Sequence, residues 1–218
     1  IESSDYVISI LLSEMVRRAA SLAPMMQYDL RALSPQTPGN LESGEIELLI
    51  SPEFATVVGH PYEPLFEDTF SCVVCNDHPT LSGELTIDDY FEAAHVGVEW
   101  GGGRRLTFDA RLLSTGKRTR RQDVIAPNFT LVPELVVGTS RIATWPTRLA
   151  QRMATRFPLR VVPCPVELPV FVERLQWHKY QERDPAIVWL RGLLREVAQA
   201  LPPVSLAPER KFAKQVKG

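Results

Sequence analysis

Strand-like runs and amphipathic helical stretches follow one another almost without interruption from Ile1 to Leu201. A chain built this way is directed toward parallel sheets with helices on both faces, because a parallel return needs a crossover helix. The first helix is the clearest: Ile8, Leu11, Leu12, Met15, Val16, Ala19, Leu22 and Ala23 repeat at helical spacing, and Pro24 closes it. Tyr28, Leu30 and Ala32 then alternate with polar neighbours as a strand, and Glu45–Ser51 reads as a buried strand between Gly44 and Pro52. Leu65–Cys75 reads as one long strand. Thr86 opens a helix with capping-box spacing, and residues 106–115 read as helical. Strands at 95–98, 119–125, 141–144, 159–162 and 170–178 alternate with helices opening at Asn128, Pro146 and Asp184.

Two proline-bearing connectors, 52–64 and 163–169, flank a self-contained middle segment. The expected organisation is therefore residues 1–66 with 171–201 as one lobe, 67–170 as a second, and 202–218 as a flexible tail. Two adjacent crossings, near residues 67 and 171, make a hinge. The crevice between the lobes is where a small ligand is expected.

Charge and composition exclude several classes. Lys+Arg 24 against Asp+Glu 26 gives a net charge of −2 over 218 residues, a poor basis for a nucleic-acid surface. No apolar run reaches the roughly 18 residues of a membrane span, and no export signal opens the chain. Cys 3 is an odd, low count that fits reduced thiols in a cytoplasm. The chain opens on Ile1 without an initiator Met, so we expect it to be a fragment of a longer protein.

Chemistry-bearing motifs are few. No nucleophile elbow, phosphate loop or dinucleotide fingerprint is present, and Gly101-Gly102-Gly103 reads as a flexible turn. Cys72 and Cys75 have C-x-x-C spacing, but positions three apart on a strand face opposite ways, so they read as core thiols and no metal site is expected. The four histidines show no ligand spacing.

Three helix starts at strand ends say more. Ser4-Asp5, Asn128-Phe129-Thr130 and Thr144-Trp145-Pro146 place backbone N–H donors where anions and polar ligand atoms bind; each alone is more often an ordinary cap, and it is the three together in one α/β chain that point to a ligand crevice. Arg148, in a first helical turn, opposes the helix dipole and so suits a ligand carboxylate or phenolate, with plain solvation as the alternative.

The order of these segments resembles the effector-binding domain of LysR-type transcriptional regulators over residues 1–201. The resemblance rests on Ser4-Asp5-Tyr6, Leu65-Phe66 through Cys75, Asn76-Asp77-His78-Pro79, Val124–Phe129 and Gly138–Thr144. Its most specific part is Trp177-His178 with Arg183-Asp184-Pro185 and Trp189-Leu190-Arg191. Within the family the chain looks closest to flavonoid-sensing nodulation regulators and chlorophenol-degradation regulators.

The resemblance implies two Rossmann-like subdomains joined by two crossing strands, as in type 2 periplasmic binding proteins, with an inducer in the cleft. It also implies an N-terminal winged helix-turn-helix for DNA, contact with RNA polymerase, and a homodimer or homotetramer. Carried over, the effector-binding residues are Ser4, Phe66, Asp68, Arg105, Asn128, Phe129, Arg148 and Glu173; Phe66, Phe129, Trp100 and Trp145 are expected as flat walls, and Asp5, Tyr6 and Thr130 at the same helix starts join the expected effector-binding set.

Some relatives that sense aromatic acids have His at the positions of Asp68 and Arg105. The carboxylate and guanidinium here favour a chlorinated phenol or polyphenol over a salicylate-like acid. No cofactor is implied. The competing readings are a transporter's solute-binding protein, which shares the fold and would carry an export signal upstream of Ile1, and an enzyme, for which no nucleophile–base or metal set is visible.

Overall fold

A computed structural model describes residues 1–81, 83–99 and 118–204 of the chain. The helix expected over 106–115 and the Gly101–Gly103 turn lie outside the described residues.

Strand β1 (Glu2–Ser3) runs straight into the first helix, α1. Asp5–Val7, Ile8–Leu12 and Ser13–Leu22 continue one another, and the middle stretch is wound as a π-helix. Most of the apolar face read from the sequence is buried, with Leu11, Leu12, Met15 and Ala19 fully enclosed, but its last turn is not: Leu22, expected on that face, is 63% exposed because the helix end projects past its packing partners. Burying each of the larger three contributes about 1.5–3 kcal/mol. Next come β2 (Arg31–Ala32), α2 (Thr37–Ser43), β3 (Leu48–Pro52) and β4 (Tyr62–Asp68). Helix α2 ends at Gly44, whose φ of 73° is the left-handed cap conformation that glycine adopts without a Cβ penalty.

The long strand expected over Leu65–Cys75 is two strands. β4 ends at Asp68 and β5 (Phe70–Cys75) begins after Thr69 in a different sheet. The polar run Glu67-Asp68-Thr69 interrupts the apolar pattern where the chain changes sheet. Then follow α3 (Ile87–Glu92), β6 (Ala94–Val98), β7 (Arg121–Ala126), a 3-10 turn (Phe129–Leu131), α4 (Val132–Val136), β8 (Arg141–Pro146), α5 (Thr147–Ala154) and β9 (Leu159–Pro163). The chain returns to the first sheet at β10 (Phe171–Trp177) and finishes with α6 (Pro185–Gln199).

Among the described residues there are two five-stranded sheets, ordered β2-β1-β3-β10-β4 and β7-β6-β8-β5-β9. They are mixed, where alternation had suggested parallel. β10 lies antiparallel between β3 and β4, and β5 antiparallel between β8 and β9. Each antiparallel strand is one that has just crossed from the other lobe and enters its sheet without a crossover helix, which frees it from the parallel rule. The crossing at Thr69 is pinned to α5. The Thr147 N–H donates to the Thr69 carbonyl at 2.9 Å, and the Thr147 hydroxyl lies 2.9 Å from that of Thr69 and 2.8 Å from that of Ser71.

Candidate functional site at the junction of the lobes

The strand end β1 delivers Ser4, Asp5 and Tyr6 to the first turn of α1. The Ser4 hydroxyl caps that turn by accepting from the Val7 N–H at 3.3 Å. Asp5 reaches the other lobe: its carboxylate accepts from the N–H groups of Phe129 (3.1 Å) and Thr130 (2.7 Å). The free donors expected at that helix start are thus taken by a carboxylate of the chain itself. Asn128 acts locally, accepting from the Leu131 N–H at 3.2 Å.

Tyr6 is 1% exposed, and its hydroxyl donates to Asp68 at 2.6 Å. Asp68, the last residue of β4 and fully buried, also accepts from the N–H of Thr69 at 2.7 Å and from that of Arg148, in the first turn of α5, at 3.2 Å. Burial raises the Asp68 carboxyl above its ordinary range, while the Tyr6 hydroxyl and the two N–H groups pull it back down. Glu173 on β10, 1% exposed, is pushed up to about 8 by burial and by the charge of Asp68; its Oε2 has no hydrogen-bond partner among the described residues. Burial, then the charges of Asp68 and Glu173, hold the Tyr6 hydroxyl protonated well past its usual range. Burial thus acts on all three groups in the same direction, favouring the protonated form, and most strongly at Tyr6 and Glu173.

Aromatic rings close around these groups. Tyr6 meets Phe66, Phe129 and Phe171 at centroid distances of 6.2, 6.0 and 6.2 Å, and Phe70 meets Phe171 at 5.0 Å. Such tilted pairs add about 0.5–1.5 kcal/mol each beyond the area they bury. Four strand or helix ends from two sheets therefore converge on one apolar seam with polar groups at its edge.

Of the residues singled out in the sequence, the structure gathers Asp5, Tyr6, Phe66, Asp68, Phe129, Thr130 and Glu173 here, with Ser4 and Asn128 as local caps. Trp145 is fully buried in the core, its indole Nε1 without a partner among the described residues. Arg148 joins through its backbone N–H on Asp68 and through its guanidinium, which stands 5.8 Å from the centroid of the Phe66 ring and whose charge acts to lower Asp68. The same guanidinium donates to the carbonyls of Glu67 (3.1 Å) and Pro202, so it already has partners within the chain. Trp100 and Arg105 lie outside the described residues.

Phe171 was not singled out, although it begins the return strand and packs on Tyr6. Its signal was its place two residues before Glu173, on the same face of the strand. No group of three or more metal-ligating side chains occurs among the described residues, and no helix among them is long and apolar enough to cross a membrane. His78 and His95 lie against the carbonyls of Ser140 (3.1 Å) and Tyr90 (2.6 Å).

Two α/β lobes joined by two crossings, with side chains of both lobes meeting at the seam, define a two-lobed ligand-binding domain. The LysR substrate binding domain matches residues 1–199, and the chain belongs to that family. It is 37% identical over 198 residues to Nodulation protein D 2 of Rhizobium tropici, covering 91% of this chain and 63% of that protein. It is 35% identical over 195 residues to Nodulation protein D 1 of Bradyrhizobium diazoefficiens, covering 89% and 62%. The chain thus spans less than two thirds of these relatives. Among solved structures, the regulatory domain of MexT, a transcriptional activator in Pseudomonas aeruginosa, is 28% identical with a TM-score of 0.77, over 90% of this chain and 97% of that one.

Proposed function

We propose that this domain senses a small aromatic compound, a chlorinated phenol or a polyphenol of the flavonoid type, where its two lobes meet. Residues 1–66 with 171–201 and residues 67–170 act as the two units, and 202–218 as a tail. The whole protein is a cytoplasmic LysR-type activator of catabolic genes. It binds DNA through a winged helix-turn-helix, contacts RNA polymerase, and works as a homodimer or homotetramer. The domain binds and does not catalyse.

The observation that carries the reading is the Tyr6–Asp68–Glu173 group inside a wall of Phe66, Phe129 and Phe171. Ring faces supply binding free energy through area removed from water, and a ligand hydroxyl finds acceptors in the acids. A ligand carboxylate would meet the charge of Asp68, which already raises Glu173, unfavourably. Ligand oxygens can compete with Asp5 for the N–H groups of Phe129 and Thr130, exchanging a link between the lobes for a link to the ligand. Such exchange gives the ligand a different affinity for two lobe arrangements, the condition for switching.

Calorimetric titration with chlorophenols, flavonoids and benzoates tests the proposal. Phenols should bind, and Phe129→Ala should weaken them about tenfold or more, the loss expected for one buried ring. Silence with every phenol, alongside tight binding of a sugar or amino acid, would overturn it.

A further inference from the structure

Two of the three cysteines meet in the second lobe. Cys72, in the middle of β5, lies opposite Val162 of β9, so Cys164, two residues further along, continues the same face of the sheet. Both pack into one apolar cluster with Val74, Leu81, Tyr90 and Ile142, and the Cys164 thiol shares a hydrogen bond with that of Cys72. Cys72 is fully buried and Cys164 is half-buried, just past the end of the edge strand β9, which makes Cys164 the way in. Cys75 faces the other way, and its Sγ accepts from the Gly138 N–H at 3.3 Å.

A cation stands beside this pair. The Thr144 hydroxyl lies 4.0 Å from the Cys72 Sγ and 2.8 Å from the Tyr90 hydroxyl, and the Arg120 guanidinium donates to Tyr90 at 3.0 Å and to Thr144 at 3.4 Å. Burial, then the hydrogen bond and charge of Cys164, push the Cys72 thiol well above its usual range, while Thr144 and Arg120 pull the other way. A thiol held protonated is a poor nucleophile, so the pair is ill suited to attack an electrophile. Diagonal positions on antiparallel strands also stand about 7–8 Å apart, beyond the usual reach of a disulfide. A metal ion alters the balance, because coordination deprotonates a thiol outright. No third metal-ligating side chain joins the two sulfurs among the described residues, so the donor set suits an ion content with two ligands.

We propose that Cys72 and Cys164 form a two-coordinate site for a soft monovalent cation, Cu(I). Soft thiolates select such an ion, and the apolar cluster around them excludes water and hard cations. Binding replaces both thiol protons: two neutral thiols and one Cu(I) give a bis-thiolate centre of net charge −1 and two released protons. The Arg120 guanidinium, whose charge already favours the Cys72 thiolate, offsets the charge that remains. The ion links β5, shortly after the crossing at Thr69, to the segment between β9 and β10 that carries the chain back to the first lobe. It thereby ties the outgoing and the returning chain together inside the second lobe. The proposal does not depend on a phenol binding at the seam.

The test is an anaerobic titration of the 218-residue chain with Cu(I) held by bathocuproine disulfonate, read as loss of the coloured chelate. One Cu(I) per chain should transfer, and X-ray absorption should find two sulfur neighbours at the copper. Cys164→Ser and Cys72→Ala should each weaken binding about 100-fold or more, and Arg120→Gln about tenfold, the scale for a partner outside the ligand set. Cys75→Ser should leave binding unchanged. Thermal melting establishes that each variant is folded; if Cys72→Ala is not, Cys164→Ser at its half-buried position decides alone. Binding that survives Cys164→Ser, or that falls as far with Cys75→Ser, would overturn the proposal. So would transfer of one Cu(I) per two chains, the mark of a site between thiols of separate copies, or no transfer from the chelator at all.

Discussion

Helix α5 faces two neighbourhoods of opposite character. Through the N–H of Arg148 its first turn donates to Asp68, in a seam where acids are buried and supplied with donors from both lobes. Through the side chains of Arg148 and Arg152 the same helix borders a cavity of about 250 Å³ where cations gather beside Ile10, Leu201 and Pro202. The seam is closed by the chain's own hydrogen bonds, so a ligand there has to displace something. At the cavity the Arg152 guanidinium lies among the like charges of Arg156 and Arg17, which Glu14 offsets in part.

The largest effect that would test this contrast is expected at Asp68. Asp68→Ala strands the Tyr6 hydroxyl and leaves two N–H groups without their acceptor. It should cost about 3 kcal/mol or more, the scale for breaking a buried network, read as a lower denaturant midpoint. A cost below 1 kcal/mol would mean that the acids do not hold the lobes together.

Next comes pH. The Glu173 carboxyl is raised to about 8 when folded and titrates in the ordinary carboxylate range when unfolded. Its raised value means that the unfolded chain gives up the proton first. Stability is therefore full below the ordinary carboxylate range, falls as pH climbs toward 8, and levels off above that. Glu173→Gln should flatten this slope and stabilise the domain at pH 7 by about 1–3 kcal/mol, taking 1.36 kcal/mol per pKa unit and allowing for relaxation around the ionised group. Urea titrations from pH 5 to 9 would show it, and a parallel pH slope in both proteins would contradict the burial argument.

Asp5→Ala removes the acceptor shared by Phe129 and Thr130 and should cost about 1 kcal/mol, a capping-scale loss. It should also widen the lobe angle, measured as a larger radius of gyration by X-ray scattering. An unchanged radius would mean that the aromatic rings alone hold the seam closed. The smallest effect is expected at the cavity: Arg152→Gln should change stability by about 0.5 kcal/mol or less, as for surface positions, because it removes a cation set among like charges that Glu14 offsets only in part. A large destabilisation would show that Arg152 is tied into the fold and would remove the contrast with Asp68.

Much of this architecture was legible residue by residue. The apolar spacing from Ile8 to Ala19, the caps at Thr86 and Asp184 and the return to a strand near Val170 all have counterparts in the structure. Part of the seam was legible too, because Ser4-Asp5-Tyr6 and Asn128-Phe129-Thr130 have the form of helix starts. What could not be read was how their polar groups are used. Donors at Phe129 and Thr130 suggested a ligand, and a carboxylate 124 and 125 residues earlier in the chain meets them instead. Arg148 suggested a ligand partner, and its guanidinium is met by the Phe66 ring and by the carbonyls of Glu67 and Pro202.

The dividing line follows the range of the forces involved. Capping and amphipathic patterning depend on partners three or four residues away, so Thr86 with Asp89 and Asp184 with Ile187 are set by the order of residues alone. The change of sheet at Thr69, the raised carboxyl at Glu173 and the gathered cations around Arg152 depend on which groups are brought together and which are removed from water. Those are properties of the packed chain: burial and pairing depend on distances between residues far apart in sequence, and only the tertiary structure sets those distances.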